Sequence, residues 1–455
     1  MQRRTTSSCC NGYGDILRKP FSVKNSPEGV EYLTQQVVRS CRHRAINHKH
    51  VFFGGEDPNS YAENFVNALR SQGWLIASVN ARDAKKQRAN LQASTDRLDL
   101  LGIAVMLLNR RANCSPAQSG VYRNLRTLVR HRRKLVVMRT EVSNRIHTVV
   151  DRLFPGFLNE RNTGICPFRR SSLWLMQNRF SARQIRRRNR AKLIEALRRY
   201  GTSEPGKAAS KLQQYAAQVL STPPEYIGTL QLSLTQHVKH YRCLQENIDQ
   251  AVKEIALWLA QTQGAFLTTV RGIGIVLAAG VTAEIGDTNE QKPVNNLVSY
   301  SGIIPRVKQS GGSEGKIYVG HVAKRCNRIG SEGKIYVGHV AKRCNRILKN
   351  YVVSSAVHLG FHGPPDLMAD FKRRDAAGQH AEFGIARRYL RMAMCLMRTS
   401  QVYTPERASY YLTMWPALCE KWKKLGALEA ALAQDRPLGQ WRDMVQQLYE
   451  IKLTL

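Results

Sequence analysis

Apolar residues at Val238, Tyr241, Leu244, Ile248, Val252, Ile255 and Leu259 recur every three or four positions, which places them on one face of an α-helix. The run lasts about six turns and predicts a long helix with a seam for a second helix. That partner comes either from the same chain or from a second copy, and the spacing favours neither. Before this region the pattern is mixed. A short apolar strand, Val51 to Phe53, runs into Gly54 and Gly55; Tyr61, Phe65 and Leu69 then mark a helix that Gly73 stops, and Leu75 to Val79 form a second strand. Thr95 is placed to cap a further helix with a buried stripe of Leu98, Leu101, Val105 and Leu108.

These patterns predict an α/β domain over 1–150, a basic helical or coiled-coil region over 151–260, and a mostly helical domain over 261–455. In the last of these, LTTVRGIGIVLAAGVTAEIGD reads as two helices joined at Gly272-Ile273-Gly274, a helix-hairpin-helix-like segment. Its glycines either let backbone amides approach a phosphate or simply form a helix-entry turn. Residues 364–455 read as further amphipathic helices.

One segment breaks the pattern. GSEGKIYVGHVAKRCNRI occupies 312–329 and returns unchanged at 330–347. Repeat architectures tolerate drift and need three or more units to build a core, so two identical copies indicate a duplication inside a domain.

Charge narrows the function. The 455 residues carry 70 Lys and Arg against 33 Asp and Glu, a net charge of +37, an excess that repels itself unless a polyanion is the usual partner. The basic residues are spread along the chain rather than gathered on amphipathic helices, so nucleic acid is favoured over a membrane surface. The longest uncharged apolar stretch, 272–283, falls short of the roughly 20 residues that cross a bilayer. MQRRTTSSCCNGYGD has no apolar core for a signal peptide. A soluble intracellular protein is expected. The ten cysteines are scattered, without the spacing of a zinc site.

Three acids can carry chemistry. Glu56 follows a strand and two glycines, and Asp96 and Asp99 lie three apart on a helix; carboxylates so gathered would hold Mg²⁺ for an in-line displacement at phosphorus. Acids in a first helical turn also favour the dipole with no other role. Ser310, between Gln309 and two glycines and near Arg306, Lys308 and Lys316, offers an accessible hydroxyl among cations, although serines beside glycines are ordinary loop chemistry. Arg123, Arg126, Arg130, Arg132 and Arg133 in YRNLRTLVRHRRKLV form a dense basic face, and Arg186, Arg187 and Arg188 another. With Lys308, Lys324 and Arg325 around the serine loop, these are the candidate nucleic-acid contacts.

Taken in order, FGGEDPNSY, VNARDAKKQRANLQASTDRLDLLGIA, VRGIGIVLAAGVTAEIGD, SYSGIIPRVKQSGG and GHVAKRCNRILKNYVV resemble the IS110-family (IS110/IS1111/IS116/IS902-type) insertion-sequence transposases over nearly the whole chain. The resemblance implies an RNase H/RuvC-like N-terminal domain with a DEDD metal set, a C-terminal transposase domain with a serine nucleophile, and cutting and rejoining of DNA guided by a noncoding RNA. Motif by motif, Glu56 takes the place of the family's glutamate, Asp96 and Asp99 its last two aspartates, and Ser310 its serine. A homo-oligomer in a prokaryotic, nucleoid-associated cytoplasm is the matching expectation. Two departures stand out. The family's first aspartate lies on an opening strand of the type GIDxxK, and no such strand precedes GYGDILRKPF; Asp15 belongs to the following strand. The expected explanation is a start further upstream or a decayed gene, with this copy inactive. The family also has one pass of the repeated segment, so the duplication is expected to weaken the alignment of Ser310. The competing readings are a RuvC-like nuclease that uses water and a binding protein without catalysis.

Overall fold

The computed structural model describes residues 4–10, 16–43, 51–56, 61–88, 95–109, 120–288, 293–303, 344–404 and 409–449. They fall into two units, 1–117 and 118–455.

In the first unit, strand β1 (Arg4–Cys10) pairs antiparallel with β2 (Ile16–Lys24). Helix α1 (Pro27–Arg42) follows at once: Ser26 accepts from the Gly29 N–H, and Pro27 presets the first turn. Val30, Leu33, Val37 and Cys41 of α1 pack on Val23 of β2 and on Phe65 and Leu69 of α2 (Glu63–Ser71). Before α2 comes strand β3 (Phe52–Gly55), and after it β4 (Leu75–Ser78). The two pair in parallel, from Phe52 opposite Leu75 to Gly55 opposite Ser78, which is the right use of an intervening helix. Gly73, at φ +83, makes the turn into β4. Helices α3 (Ala81–Lys86) and α4 (Asp96–Leu108) complete the unit, with Thr95 capping α4 as its sequence predicts.

Two expectations change here. The four strands form two separate two-stranded sheets among the described residues, so the α/β character holds without a continuous RuvC-like sheet. The buried face of α4 is Ile103 and Met106, whereas Leu101 and Leu108 of the expected stripe are exposed. Helix α4 is apolar nearly all round, so periodicity had no face to select. Gly102 selects it: a Cβ there would lie 2.3 Å from the Ala84 carbonyl oxygen, so α3 crosses α4 at this point.

The second unit is built on an antiparallel pair of long helices, α5 (Gly120–Leu153) and α11 (Pro224–Leu259), each about 50 Å in length at 1.5 Å per residue. Arg139 donates to Gln245, and Thr222 donates to the Arg152 carbonyl, which fixes the opposed directions. The seam finds its partner within the chain. Val238, Leu244, Ile248, Ile255 and Leu259 are buried in the same two clusters as Leu125, Val129, Val142, Ile146 and Val150 of α5. Helix α5 therefore packs inside the second unit.

Between the long helices, α6 (Glu160–Thr163), α7 (Arg170–Gln177), α8 (Ala182–Arg186), α9 (Arg190–Arg199) and α10 (Pro205–Gln218) cover one end of the pair around Phe154, Phe157 and Phe180. The other end enters a second core. After a 3-10 helix at Gln263–Thr269 come α12 (Ile275–Ile285), α13 (Val294–Tyr300), α14 (Arg346–His362), α15 (Pro365–Ala376), α16 (Ala381–Thr399), α17 (Ser409–Lys423), α18 (Leu428–Leu432) and α19 (Pro437–Tyr449). Trp415, Trp422 and Tyr389 are its largest fully buried side chains. The hairpin expected at 272–274 thus has a 3-10 arm in place of a first α-helix.

Helix α12 touches α14 through Gly280, where a Cβ would meet the Tyr351 ring at 2.2 Å. Gly280→Ala is expected to force the two helices apart and lower stability by about 1–3 kcal/mol, read from the urea unfolding midpoint. An unchanged midpoint would contradict that packing.

Candidate functional site

In the first unit, Gly54 lets α4 lie against β3, since a Cβ there would sit 2.3 Å from Leu107 Cδ1. Val79, which bonds to the Gly55 carbonyl beyond the end of β4, clusters with Ile103. Helix α4 therefore runs antiparallel to the strands, and its first turn, with Asp96 and Asp99, reaches past their carboxyl ends. Glu56 leaves β3 at that same end, half-buried, where open α/β sheets bind their ligands. The three expected acids share one end of the unit. They do not form a coordination shell: among the described residues no three His, Cys, Asp or Glu side chains gather closely enough for a metal ion, and Asp99 is paired with Arg88. As hard oxygen donors the three acids suit magnesium by their chemistry, and Asp99 would have to release Arg88 to take part.

Ser310, Lys308, Lys324 and Arg325 lie outside the described residues, but both ends of their segment are fixed. The Asn345 N–H donates to the Tyr300 carbonyl at 2.8 Å, and Asn345 Nδ2 donates to the Tyr300 hydroxyl at 3.1 Å. Asn345 Oδ1 also accepts from the N–H groups of Ile347 and Leu348, capping α14. One side chain thus closes the loop base and starts the next helix.

Asn345 Nδ2 makes a third contact, at 2.7 Å, to Oε2 of Glu284 on α12. Glu284 is only 3% exposed. Arg130 grips it with both Nε and Nη2, at 2.8 and 2.9 Å, and Arg126 adds a bond at 3.1 Å. Burial pushes this carboxyl up, but the Arg130 hydrogen bonds, the Arg126 charge and Asn345 together outweigh it and leave it below its ordinary range. The same bonds raise the Arg130 guanidinium.

This changes the reading of the basic face. Arg126 and Arg130 are engaged by Glu284, and Arg132 and Arg133 lie close enough to Tyr351 for their charges to act on it. Arg123 is half-buried on the same helix. Within the run expected to meet phosphate, Arg126 and Arg130 also dock α5 on α12. Of the second basic group, Arg186 and Arg187 are exposed, while Arg188 lies 5.3 Å over the Trp174 ring and donates to the Asn178 carbonyl. At the hairpin, Gly272 is required by its φ of +88 against the His362 carbonyl, and only Gly274, at the start of α12, has open space beside it. Lys421 donates to the Thr268 and Ile273 carbonyls of this turn, and burial lowers its pKa to about 8. Sequence reasoning missed Glu284, Asn345 and Lys421. The available signal for Glu284 was one acid in the apolar run IVLAAGVTAEI, a full turn after Gly280.

Two comparisons bear on this arrangement. Residues 2–155 match a family model for transposases of the DEDD IS110 type, and residues 264–326 match the model described as the transposase IS116/IS110/IS902 family. A relative from Streptomyces coelicolor, the insertion element IS110 uncharacterized 43.6 kDa protein, is 27% identical over 328 residues, covering 67% of this chain and 76% of its own length. Over both matched regions the chain is similar to insertion-sequence transposases of the IS110 family. No described helix is long and apolar enough to cross a membrane.

Glu284→Gln should leave two guanidiniums without a counter-charge and cost about 3 kcal/mol, measured by urea denaturation at neutral pH. Because the folded carboxyl lies below its ordinary value of 4.5, its contribution is present above that value and is lost as the pH falls through the depressed one. The gap between wild type and variant should close in strong acid. The cap gives a sharper contrast. Only the second copy runs directly into the buried Leu348, Tyr351 and Val352, whereas the first runs into Gly330-Ser331-Glu332-Gly333. Asn345→Ala should therefore cost about 1–3 kcal/mol, and the equivalent Asn327→Ala nothing measurable.

Proposed function

We propose that this transposase cuts and rejoins DNA through Ser310. In this reading Ser310 Oγ attacks a backbone phosphorus, an Oγ–P bond forms, and one P–O bond to the adjoining deoxyribose breaks, its oxygen taking up a proton. The phosphodiester energy is kept in the protein–DNA link, so a hydroxyl from a second DNA end can displace the serine without another co-reactant. A noncoding RNA selecting the sites, and a homo-oligomer bringing two ends together, belong to the same proposal through the family resemblance.

The observation that supports the serine is that the described residues on either side of its segment are tied together. Tyr300 and Asn345 are tied together and to Glu284, which α5 holds by two arginines. A nucleophilic loop needs a fixed base if its hydroxyl is to return to one place. We also propose Glu56, Asp96 and Asp99 as the magnesium-binding acids of a RuvC-like domain. Their shared position at the carboxyl ends of β3 and β4 supports that role, and it requires Asp99 to exchange Arg88 for the ion. Bound there, magnesium would supply charge to polarise a phosphate.

The duplication does not displace the loop's base, because α14 starts from the second copy with its cap intact.

With nicked or suicide DNA substrates carrying the element's ends, wild-type protein should form a covalent adduct that survives denaturation, and Ser310→Ala should form none. DNA cleavage that persists in Ser310→Ala would replace the serine mechanism with hydrolysis by water. Glu56→Gln should reduce adduct formation at least tenfold without reducing DNA binding.

A further inference from the structure

Of the six arginines on helices α15 and α16, five form a cluster that neither the family matches nor the serine segment explains. Asp370, 8% exposed on α15, accepts from Arg373 and Arg374 of its own helix and from Arg388 of α16. Arg388 also reaches Asp366 at 2.9 Å. Gly384 adds a second constraint. A Cβ there would come within 3.0 Å of Arg374 Cδ, Nε and Cζ, so the Arg374 side chain lies against α16 at the one position without a side chain to block it. Burial pushes the Asp370 carboxyl up, but the three guanidiniums outweigh it and bring it to about 2; it stays charged across the physiological range.

Next along α16 come Arg387 and Arg391. Arg387 is half-buried and Arg391 exposed, and burial together with the charges of Arg374 and Arg391 disfavours the cationic form of Arg387. The acids nearby are already engaged or apart: Asp366 and Asp370 hold the other three arginines, Glu382 faces His380, and Asp375 makes no ion pair with the cluster among the described residues. Like charges at a spacing of four residues repel. The fold fixes three guanidiniums with a buried acid and sets two uncompensated ones beside them, an arrangement that an external anion would relieve.

We propose that this face of α15 and α16 is a binding site for the phosphate backbone of duplex DNA, with Arg387 and Arg391 as its contacts. The two positions are about 6 Å apart along one face of the helix, so both can meet the same stretch of a duplex backbone. The choice of DNA rests on the recombination reading above; the arginine cluster itself does not.

The test is fluorescence anisotropy of full-length protein with a labelled DNA duplex of arbitrary sequence over a range of salt, without magnesium. Arg387→Gln/Arg391→Gln should reduce the slope of log affinity against log salt by about 2, near 0.9 for each phosphate that the variant no longer neutralises. Arg391→Gln alone, at an exposed position, should give about half of that and guards against misfolding. The charge-matched control Lys207→Gln/Lys424→Gln removes two exposed cations elsewhere, each paired with a glutamate, and should leave the slope unchanged. An unchanged slope in the double arginine variant, or an equal fall in the control, overturns the site. So does a loss confined to an RNA duplex. Failure of Ser310 to form an adduct would leave this result standing, and adducts formed with an unchanged slope would remove the site while keeping the reaction.

Discussion

The buried carboxylate of Glu284 is the interaction on which the second unit depends. An ionised acid out of water is tolerated only when its lone pairs are filled by cations and donors, and here three side chains from two separate parts of the chain supply them: Arg126 and Arg130 from α5, and Asn345 from the start of α14. The acid itself sits on α12, one turn after the glycine that admits Tyr351. Moving any of these elements leaves a charge or a donor unsatisfied in the interior. The apolar contacts around them set how closely the helices pack, while the ion cluster sets their register, because hydrocarbon can slide and a bidentate carboxylate cannot.

That constraint governs what the duplication can do. A segment inserted between two free ends would push the following helix out of place. Here the ends are joined before the segment begins, through Tyr300 and Asn345, so added length is confined between them. Since both copies are identical up to Ile329 and Ile347, the residues just beyond each copy decide which one is used. Leu348, Tyr351 and Val352 bury in the core, and four residues of Gly-Ser-Glu-Gly cannot. The described end of the second copy, Cys344 to Ile347, leads into α14 for a reason of hydrophobic continuation.

Much of the fold was legible because it rests on local rules. The heptad-like seam of α11, the Thr95 cap and the Gly73 turn all follow from short-range geometry. The partner of the seam was not, since a stripe of apolar residues states that something covers it without stating what; the answer came from α5, about a hundred residues earlier. The buried face of α4 was misjudged for a related reason. Its composition is too uniformly apolar to carry a phase, and the phase comes from Gly102 meeting a carbonyl on α3. At the candidate site, the sequence placed Glu56 at the end of a strand and Asp96 and Asp99 on one helix, yet held no hint that Arg88 would occupy Asp99.

The same limit explains why the basic runs were read too simply. Arginines are numerous in this chain and acids scarce, at 70 basic residues to 33 acidic, so almost any cluster looks like a phosphate site. The acids decide otherwise. Glu284 withdraws two arginines, Asp370 three and Asp99 one. Sequence spacing does not reveal the strongest of these pairings, because the partners of Glu284 are more than 150 residues away. A buried acid converts an arginine from a ligand for something else into a fastener of the fold. What remains for a polyanion is the set of cations that no interior carboxylate reaches. In a protein with this imbalance, the placement of the few acids, more than the density of the many bases, defines where nucleic acid can be held.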